Sequence, residues 1–404
     1  MREGLRKLVW LVAIVLFVIG FYGLYERLAY GHRIADYGSY VTWGLWVAAY
    51  IYFIGLSAGA FFLSTLVYVF GVKKLERIGK LALWTAFACL IAALLSIWFD
   101  LGHMWRAWRI PIHWPISMMS WMAVLYSAYF ILIVIEIWFA MRKDLVERAQ
   151  AGSALCSFLV FGSRDLSPEA LERDKKVLKV LGIIGIPLAT AFHGGVGTLF
   201  AVVAAKHHWH SGLTPIVFLV GALLSGAGLL IFATYLWGPA EEAERNEMLK
   251  FMGYILIGLI CFDFLLEIAE YLVGSYAKVP EEYLPIRYII FGYYGKYWYT
   301  FWIVHFLGGV VLPILLASSR KPGAVALAGL LVAVTFLSVR LNIVIPGQVV
   351  PEIKGLEWAF FGPGLKYFYF PTLAEWLLTA WVTGLGMLIF LVGEKLLPIT
   401  NNRA

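Results

Sequence analysis

Phe251-Met-Gly-Tyr-Ile-Leu-Ile-Gly-Leu-Ile-Cys261-Phe-Asp263-Phe-Leu-Leu-Glu267-Ile-Ala-Glu270-Tyr-Leu-Val273 is an apolar run interrupted by three carboxylates. Its length and composition suit a helix across the roughly 30 Å hydrocarbon layer of a bilayer. Asp263, Glu267 and Glu270 recur at i, i+4 and i+7, so a helix carries them on one face. A charge at bilayer depth costs at least about 2.5 kcal/mol per residue. Three on one face must therefore look inward, at partners, protons or water. That requirement predicts a polytopic helical bundle with a polar interior.

The rest of the chain fits. Of 404 residues, 62% are hydrophobic and 14% charged. Ten apolar runs long enough to span lie near 5–25, 43–70, 80–99, 118–141, 178–205, 214–237, 250–273, 300–318, 324–345 and 373–393. Membrane strands would be about half as long and would alternate. The expected fold is an all-α integral membrane protein, one polytopic domain over 1–404. The first run has a basic start but a long core and no small-residue cleavage site, so it is read as a helix and not a signal peptide.

Lys and Arg favour the segments on the N-terminal side by roughly two to one, which predicts that both termini are cytoplasmic. The net charge of +7 comes from this bias and does not call for nucleic acid. Cys89, Cys156 and Cys261 are scattered and form no Cys-x-x-Cys, which argues against an iron–sulfur or zinc-thiolate site in this chain. Ser167-Pro168 is expected to open a short interfacial helix in the basic segment 141–179. Two loops on the other side, 274–299 and 346–371, are rich in Tyr, Trp, Gly and Pro. They suit either an interface belt or a docked partner.

An internal echo is present. Gly55-Leu-Ser-Ala-Gly59 in the second run matches Leu224-Ser-Gly-Ala-Gly228 in the sixth, and small residues at this spacing let helices approach closely. Each is followed by a helix with acid in its outer half, Asp100 in one case and Asp263 to Glu270 in the other. The expectation is two four-helix bundles, 43–205 and 214–345, flanked by helices at 1–30 and 372–396.

Three constellations carry candidate chemistry. At the end of the third run, Trp98-Phe-Asp100-Leu-Gly-His103-Met-Trp-Arg106 packs acid, imidazole and guanidinium among tryptophans. A quinone head group needs a donor for its carbonyls, a base for its hydroxyl protons and flat apolar walls. An ordinary aromatic belt explains the same residues more blandly. A second, dispersed set lies inside spans: Glu136, His193, Asp263, Glu267, Glu270, His305, Arg340 and Glu375. These suit a proton path, or an ion-pair network in which Arg340 is the counter-ion of one acid. Third, His193 and His305 are the one histidine pair clearly inside spans, the minimum for a b-type haem. His207-His-Trp-His210 resembles a metal tract but suits an interfacial loop equally.

The helix-two stretch Thr42-Trp-Gly-Leu-Trp through Gly55-Leu-Ser-Ala-Gly59 resembles the polysulfide-reductase membrane subunit (NrfD/PsrC) family. So do Asp100-Leu-Gly with Arg106, Pro115-Ile-Ser-Met-Met-Ser-Trp121 and Trp209-His-Ser-Gly-Leu-Thr-Pro215. His193-Gly-Gly-Val, Arg340-Leu-Asn342 and Tyr369-Phe-Pro-Thr-Leu-Ala-Glu375 are similar to its ten-helix branch, which includes hydrogenase-2-type quinone-reactive anchors and the Dsr complex subunit DsrP. The resemblance covers nearly the whole chain. Many relatives carry Arg-Pro after Asp-Leu-Gly, where this chain has His103-Met104.

The resemblance implies a quinone-binding subunit with no haem or iron–sulfur cluster of its own. It implies a ferredoxin-like iron–sulfur subunit docked on the outer face, with further redox subunits and menaquinone or another quinone as substrate. On this reading Asp100 exchanges protons with the head group and His103 donates to it, with Tyr50 and Tyr129 as further candidates. The dispersed set carries protons or balances charge, and the membrane is the cytoplasmic one. The alternatives are a secondary transporter with a midplane substrate site and a b-type cytochrome subunit.

Overall fold

The computed structural model describes residues 2–400; Met1 and 401–404, the ends of the expected 1–404 domain, lie outside them. Among the described residues, ten helices are long and apolar enough to cross a membrane. They are α1 (Arg2–Tyr30), α2 (Leu45–Tyr68), α3 (Gly79–Asp100), α4 (Met118–Gln150), α5 (Pro168–Ala201), α6 (Thr214–Trp237), α7 (Glu242–Ala277), α8 (Thr300–Ser318), α9 (Pro322–Val344) and α10 (Leu373–Leu396). The chain is an all-α, multi-pass membrane protein. An even number of crossings leaves both ends on one face, here called the termini face.

Sequence chemistry sets the helix ends. Ser167 caps α5 through its side chain, and Pro168 takes the first turn, where its missing N–H costs nothing. The helix does not stop short, as the interfacial reading of Ser167-Pro168 expects. With no breaker before Pro187 it continues across the membrane, and the separate short helix is Ala154–Leu159. A capping box between Thr372 and Glu375 starts α10. The first part of α8, Thr300–Val311, is wound as a π-helix, which carries His305. Part of the aromatic segment after α7 is itself helical, over Pro280–Phe291.

Burial sorts the helices. In α2, 89% of the apolar window is buried against 17% in α1, so α2 is central and α1 peripheral. Leu8, Leu11, Val18 and Tyr22 of α1 are exposed, as a lipid-facing helix requires, and the other side of α1 lies along α10. Helix α2 packs on α3, α5, α6 and α9, and α6 on α2, α5, α7 and α9.

The central crossing of α2 and α6 is made by glycine. A Cβ on Gly59 would lie 2.4 Å from the Ala222 carbonyl oxygen and 2.7 Å from Gly226 Cα. Without hydrophobic drive between helices in lipid, such backbone approach is a main source of association.

Candidate functional site

The end of α3 away from the termini face is a packed polar cluster. Arg27 of α1 donates from Nε to the Phe99 carbonyl and from Nη2 to the Leu101 carbonyl, both at 2.8 Å. These are carbonyls left over at a helix C-terminus, where a cation also suits the helix dipole. The guanidinium sits 5.6 Å from the Trp46 ring. The half-buried Asp100 carboxylate accepts a 3.0 Å hydrogen bond from the Tyr37 hydroxyl, with Arg27 and Glu375 in electrostatic reach. The His32 ring lies against the backbone of Phe99 and Asp100, its Nε2 buried without a protein partner. Tyr37 and His32 both contact Trp46.

Glu375 closes the cluster. Its carboxylate accepts from the Tyr369 hydroxyl at 2.5 Å, from the Thr372 amide at 2.9 Å and from the Asp36 amide at 3.1 Å. Tyr369 accepts in turn from the Leu45 amide, and its ring lies tilted 6.2 Å from that of Tyr37. Glu375 thus ties the segment after α1, the start of α2 and the start of α10 together. It belongs with Asp100, not with the acids of α7.

His103 does not join them. It is exposed, and among the described residues no contact links its side chain to Asp100. Beside it, Trp105, Trp108 and Ile116 form an exposed apolar surface. Tyr50 and Tyr129 are buried deeper, in the aromatic core with Tyr126, Phe192 and His193. Arg27, His32, Tyr37, Trp46 and Tyr369 escaped the sequence reading. The signal for the first four was an ionisable, aromatic tract from 27 to 46 joining two spans, and for Tyr369 the motif that leads to Glu375.

The second gathering lies between α6, α7, α8 and α9. Asp263, Glu267 and Glu270 line one cavity of about 40 Å³ with Arg340, Asn342, Tyr271 and His208. His305 Nε2 meets Glu267 Oε2 at 2.7 Å. Among the described residues Arg340 makes no close ion pair with an acid, though Asp263 lies in its electrostatic reach; the partner of Glu267 is His305. Arg340 lies instead between Phe218 and Phe336, 4.8 and 5.0 Å from their rings, and donates to the Phe218 carbonyl at 3.4 Å. Its Nε and Nη1 have no protein partner.

His193 and Glu136 are further apart. The two nitrogens of His193 face the Ala189 and Ile54 carbonyls at 2.6 and 3.1 Å. Glu136 is buried on α4 with Oε1 unpartnered.

The histidine tract splits. His207 is exposed, His210 meets the Ala201 carbonyl at 2.6 Å at the end of α5, and His208 reaches the backbone of Asn342. Burial pushes the His208 imidazole down to about 4, offset by that backbone bond. An unfolded histidine protonates near 6.5. The stability His208 contributes is therefore complete above about pH 6.5 and is lost as pH falls toward 4. Thermal unfolding in detergent should fall in midpoint over this window, and His208→Gln should flatten that slope. An unchanged slope in the variant would remove His208 as its cause.

The family described as polysulphide reductase, NrfD, matches residues 34–352. The chain is 42% identical to a subunit of selenate reductase from Mesobacillus selenatarsenatis, over 99% of this chain and 96% of the relative. It is 29% identical to the Hdr-like menaquinol oxidoreductase integral membrane subunit of Archaeoglobus fulgidus, over 90% and 86%. It is 22% identical to the menaquinone reductase integral membrane subunit of Nitratidesulfovibrio vulgaris, over 100% and 94%.

Proposed function

Because this chain belongs to the NrfD family of polysulphide-reductase membrane subunits, we propose that it is the quinone-reactive membrane subunit of a multi-subunit redox complex. It exchanges electrons between the menaquinone pool and a docked iron–sulfur subunit, which further redox subunits extend. Relatives named as menaquinol oxidoreductase and menaquinone reductase subunits support the substrate class. The Lys and Arg bias puts the termini face in the cytoplasm and the Asp100 cluster at the outer side of the cytoplasmic membrane.

The observation that carries the reading is the Asp100 cluster. A quinol gives up two protons and two electrons on becoming a quinone. Asp100 is a carboxylate held by the Tyr37 hydroxyl, whose ring packs on Trp46, and it is placed to take a hydroxyl proton. His32 Nε2, lacking a protein partner, is placed to meet the head-group oxygen. His103 remains a second donor candidate should the exposed segment 101–117 fold onto the ligand, and Tyr50 and Tyr129 are candidates for the deeper wall. Glu375 holds the cluster together and balances charge. In the second half, Asp263, Glu267, Glu270, His305 and Arg340, with His193 and Glu136 of the first, carry protons or balance charge. The halves 43–205 and 214–345 form two four-helix bundles on this reading, the first serving the quinone.

Two observations weigh against the alternatives. The acid-lined cavity of about 40 Å³ has room for water but not for an organic solute, which disfavours a midplane transport site. Both nitrogens of His193 face backbone carbonyls and His305 Nε2 is paired with Glu267, which disfavours haem ligation.

Tryptophan quenching by menadione tests the site. Trp46 packs on Tyr37, the hydrogen-bond partner of Asp100, so binding should quench saturably, and Asp100→Asn should weaken the apparent affinity at least about tenfold, the loss of one hydrogen bond to a charged group. Saturable quenching that ignores the substitution would move the site elsewhere. No saturable quenching by the intact complex would overturn the reading.

A further inference from the structure

The dispersed buried polar groups form one line. It begins at the cavity of Glu270, Glu267 and Asp263, whose volume of about 40 Å³ exceeds what one water needs. On its wall the guanidinium of Arg340, 1% exposed, keeps Nε and Nη1 without protein partners, and Asn342 Nδ2 is likewise unpartnered.

Arg340 reaches toward the other half of the protein. Its Nη2 lies 3.5 Å from where a Cβ on Gly55 of α2 would be, and 3.1 Å from one on Gly221 of α6. Two absent side chains thus open a window between α2 and α6, and the guanidinium fills it. Just beyond, His193 Nε2 faces the carbonyl of Ile54, the residue before Gly55, within electrostatic reach of Arg340. A neutral imidazole can donate to only one of the two carbonyls that His193 faces, and a protonated one donates to both.

From His193 the line turns toward the termini face. The Tyr129 ring is 5.5 Å from His193, and the hydroxyls of Tyr129 and Ser57, near each other, are both buried without partners of good geometry. Glu136 Oε1 follows, about two turns further along α4 and also unpartnered. Tyr68 lies in electrostatic reach of both Glu136 and Asp144. Asp144 pairs with Lys80 at 2.6 Å at the partly exposed end of the line.

Buried polar atoms without partners are few in folded proteins. Here six of them, Arg340 Nε and Nη1, Asn342 Nδ2, Ser57 Oγ, Tyr129 Oη and Glu136 Oε1, lie along a single diagonal between two carboxylate-bearing ends. Ordered water is the partner that satisfies such atoms and also relays protons.

We propose that this diagonal is a proton route through the membrane. It enters the second half at Glu270, crosses at the Arg340 window, and leaves the first half through Glu136 and Asp144. Only O–H and N–H bonds form and break along it, each group releasing one proton as it takes another. The positive charge of Arg340 at the crossing opposes a free proton there, so the guanidinium acts as the barrier that must shift before a proton passes. The proposal rests on the quinone reading, since quinone chemistry is the driving reaction.

The test uses the whole complex in sealed vesicles, with menadiol as donor, a membrane-impermeant artificial electron acceptor and a pH dye in the lumen. Menadiol oxidation and lumenal pH are recorded together, with an uncoupler control. Glu136→Gln should keep menadiol oxidation within about twofold of wild type, and its uncoupler-sensitive proton movement per electron should fall at least about tenfold. Ser57→Ala, which removes one orphaned hydroxyl, should lower the same ratio several-fold and covers the case in which Glu136→Gln does not assemble. Wild-type proton-to-electron ratios in Glu136→Gln, or in Ser57→Ala should the first not assemble, overturn the route. So does menadiol oxidation without proton movement in wild type, which leaves the quinone reading standing. Failure of wild type to oxidise menadiol overturns both.

Discussion

Replacing Asp100 by Asn should lower quinone-linked turnover of the intact complex by at least about 100-fold while leaving its thermal stability nearly unchanged, because positioned acid–base groups contribute about 10²- to 10⁴-fold. The separation of the two effects follows from geometry. Asp100 accepts one hydrogen bond, from the Tyr37 hydroxyl, and the carboxamide oxygen of Asn accepts the same bond. Arg27 is held by the Phe99 and Leu101 carbonyls, not by the Asp100 side chain, so its anchorage survives. What is lost is the group that takes a proton. His103→Ala, at an exposed position, should cost much less than His32→Ala, whose ring lies against the Asp100 backbone. Steady-state menadiol oxidation with a parallel melting curve measures both quantities. Turnover of Asp100→Asn near the wild-type value would remove Asp100 from the chemistry.

Gly59→Ala should largely abolish folded protein. Its Cβ would sit 2.4 Å from the Ala222 carbonyl oxygen and 2.7 Å from Gly226 Cα, and these are backbone atoms of α6 that cannot turn aside. Helices α2 and α6 would have to separate by more than an ångström along the most buried crossing in the molecule. Overpacking of cores already costs about 1–3 kcal/mol where side chains can adjust. With backbone on both sides the loss should exceed about 3 kcal/mol, a large share of the stability of an ordinary domain. Gly258→Ala on α7 is the control, since a Cβ there meets nothing within 4 Å. Yield of monodisperse protein and its melting temperature in detergent provide the comparison, and a Gly59→Ala protein as stable as the control would refute the close crossing.

Some of this was legible residue by residue. The inward face of Asp263, Glu267 and Glu270 needed only helical periodicity and the cost of charge in lipid, and all three line one cavity. The Gly55 to Gly59 and Leu224 to Gly228 echoes pointed to close packing, and Gly59 and Gly226 are in contact. The reading failed where a local cue met a long-range partner. Ser167-Pro168 is a true helix start, but nothing in those two residues says that the helix goes on to Ala201. Arg340 reads as the counter-ion of an acid, and Asp263 is in its electrostatic reach, but the phenyl rings of Phe218 and Phe336 that flank it carry no mark in the sequence. His103 is four residues from Phe99 in the chain, whereas the His32 ring reaches the Phe99 backbone from another segment, which no local pattern marks.

The sequence by itself determined that ten helices are long and apolar enough to cross a membrane among the described residues, which of their faces are polar, and where glycine permits contact. These properties follow from short-range periodicity and from transfer energies that each residue carries with it. The tertiary structure alone decided which polar groups meet. Tyr37 reaches Asp100, Asp36 reaches Glu375 and Arg340 reaches the Gly55 window across separations of tens to hundreds of residues. Those meetings depend on the depth and rotation of each helix against its neighbours. Contacts between backbones, often at a single glycine, set that register, and no local pattern encodes it.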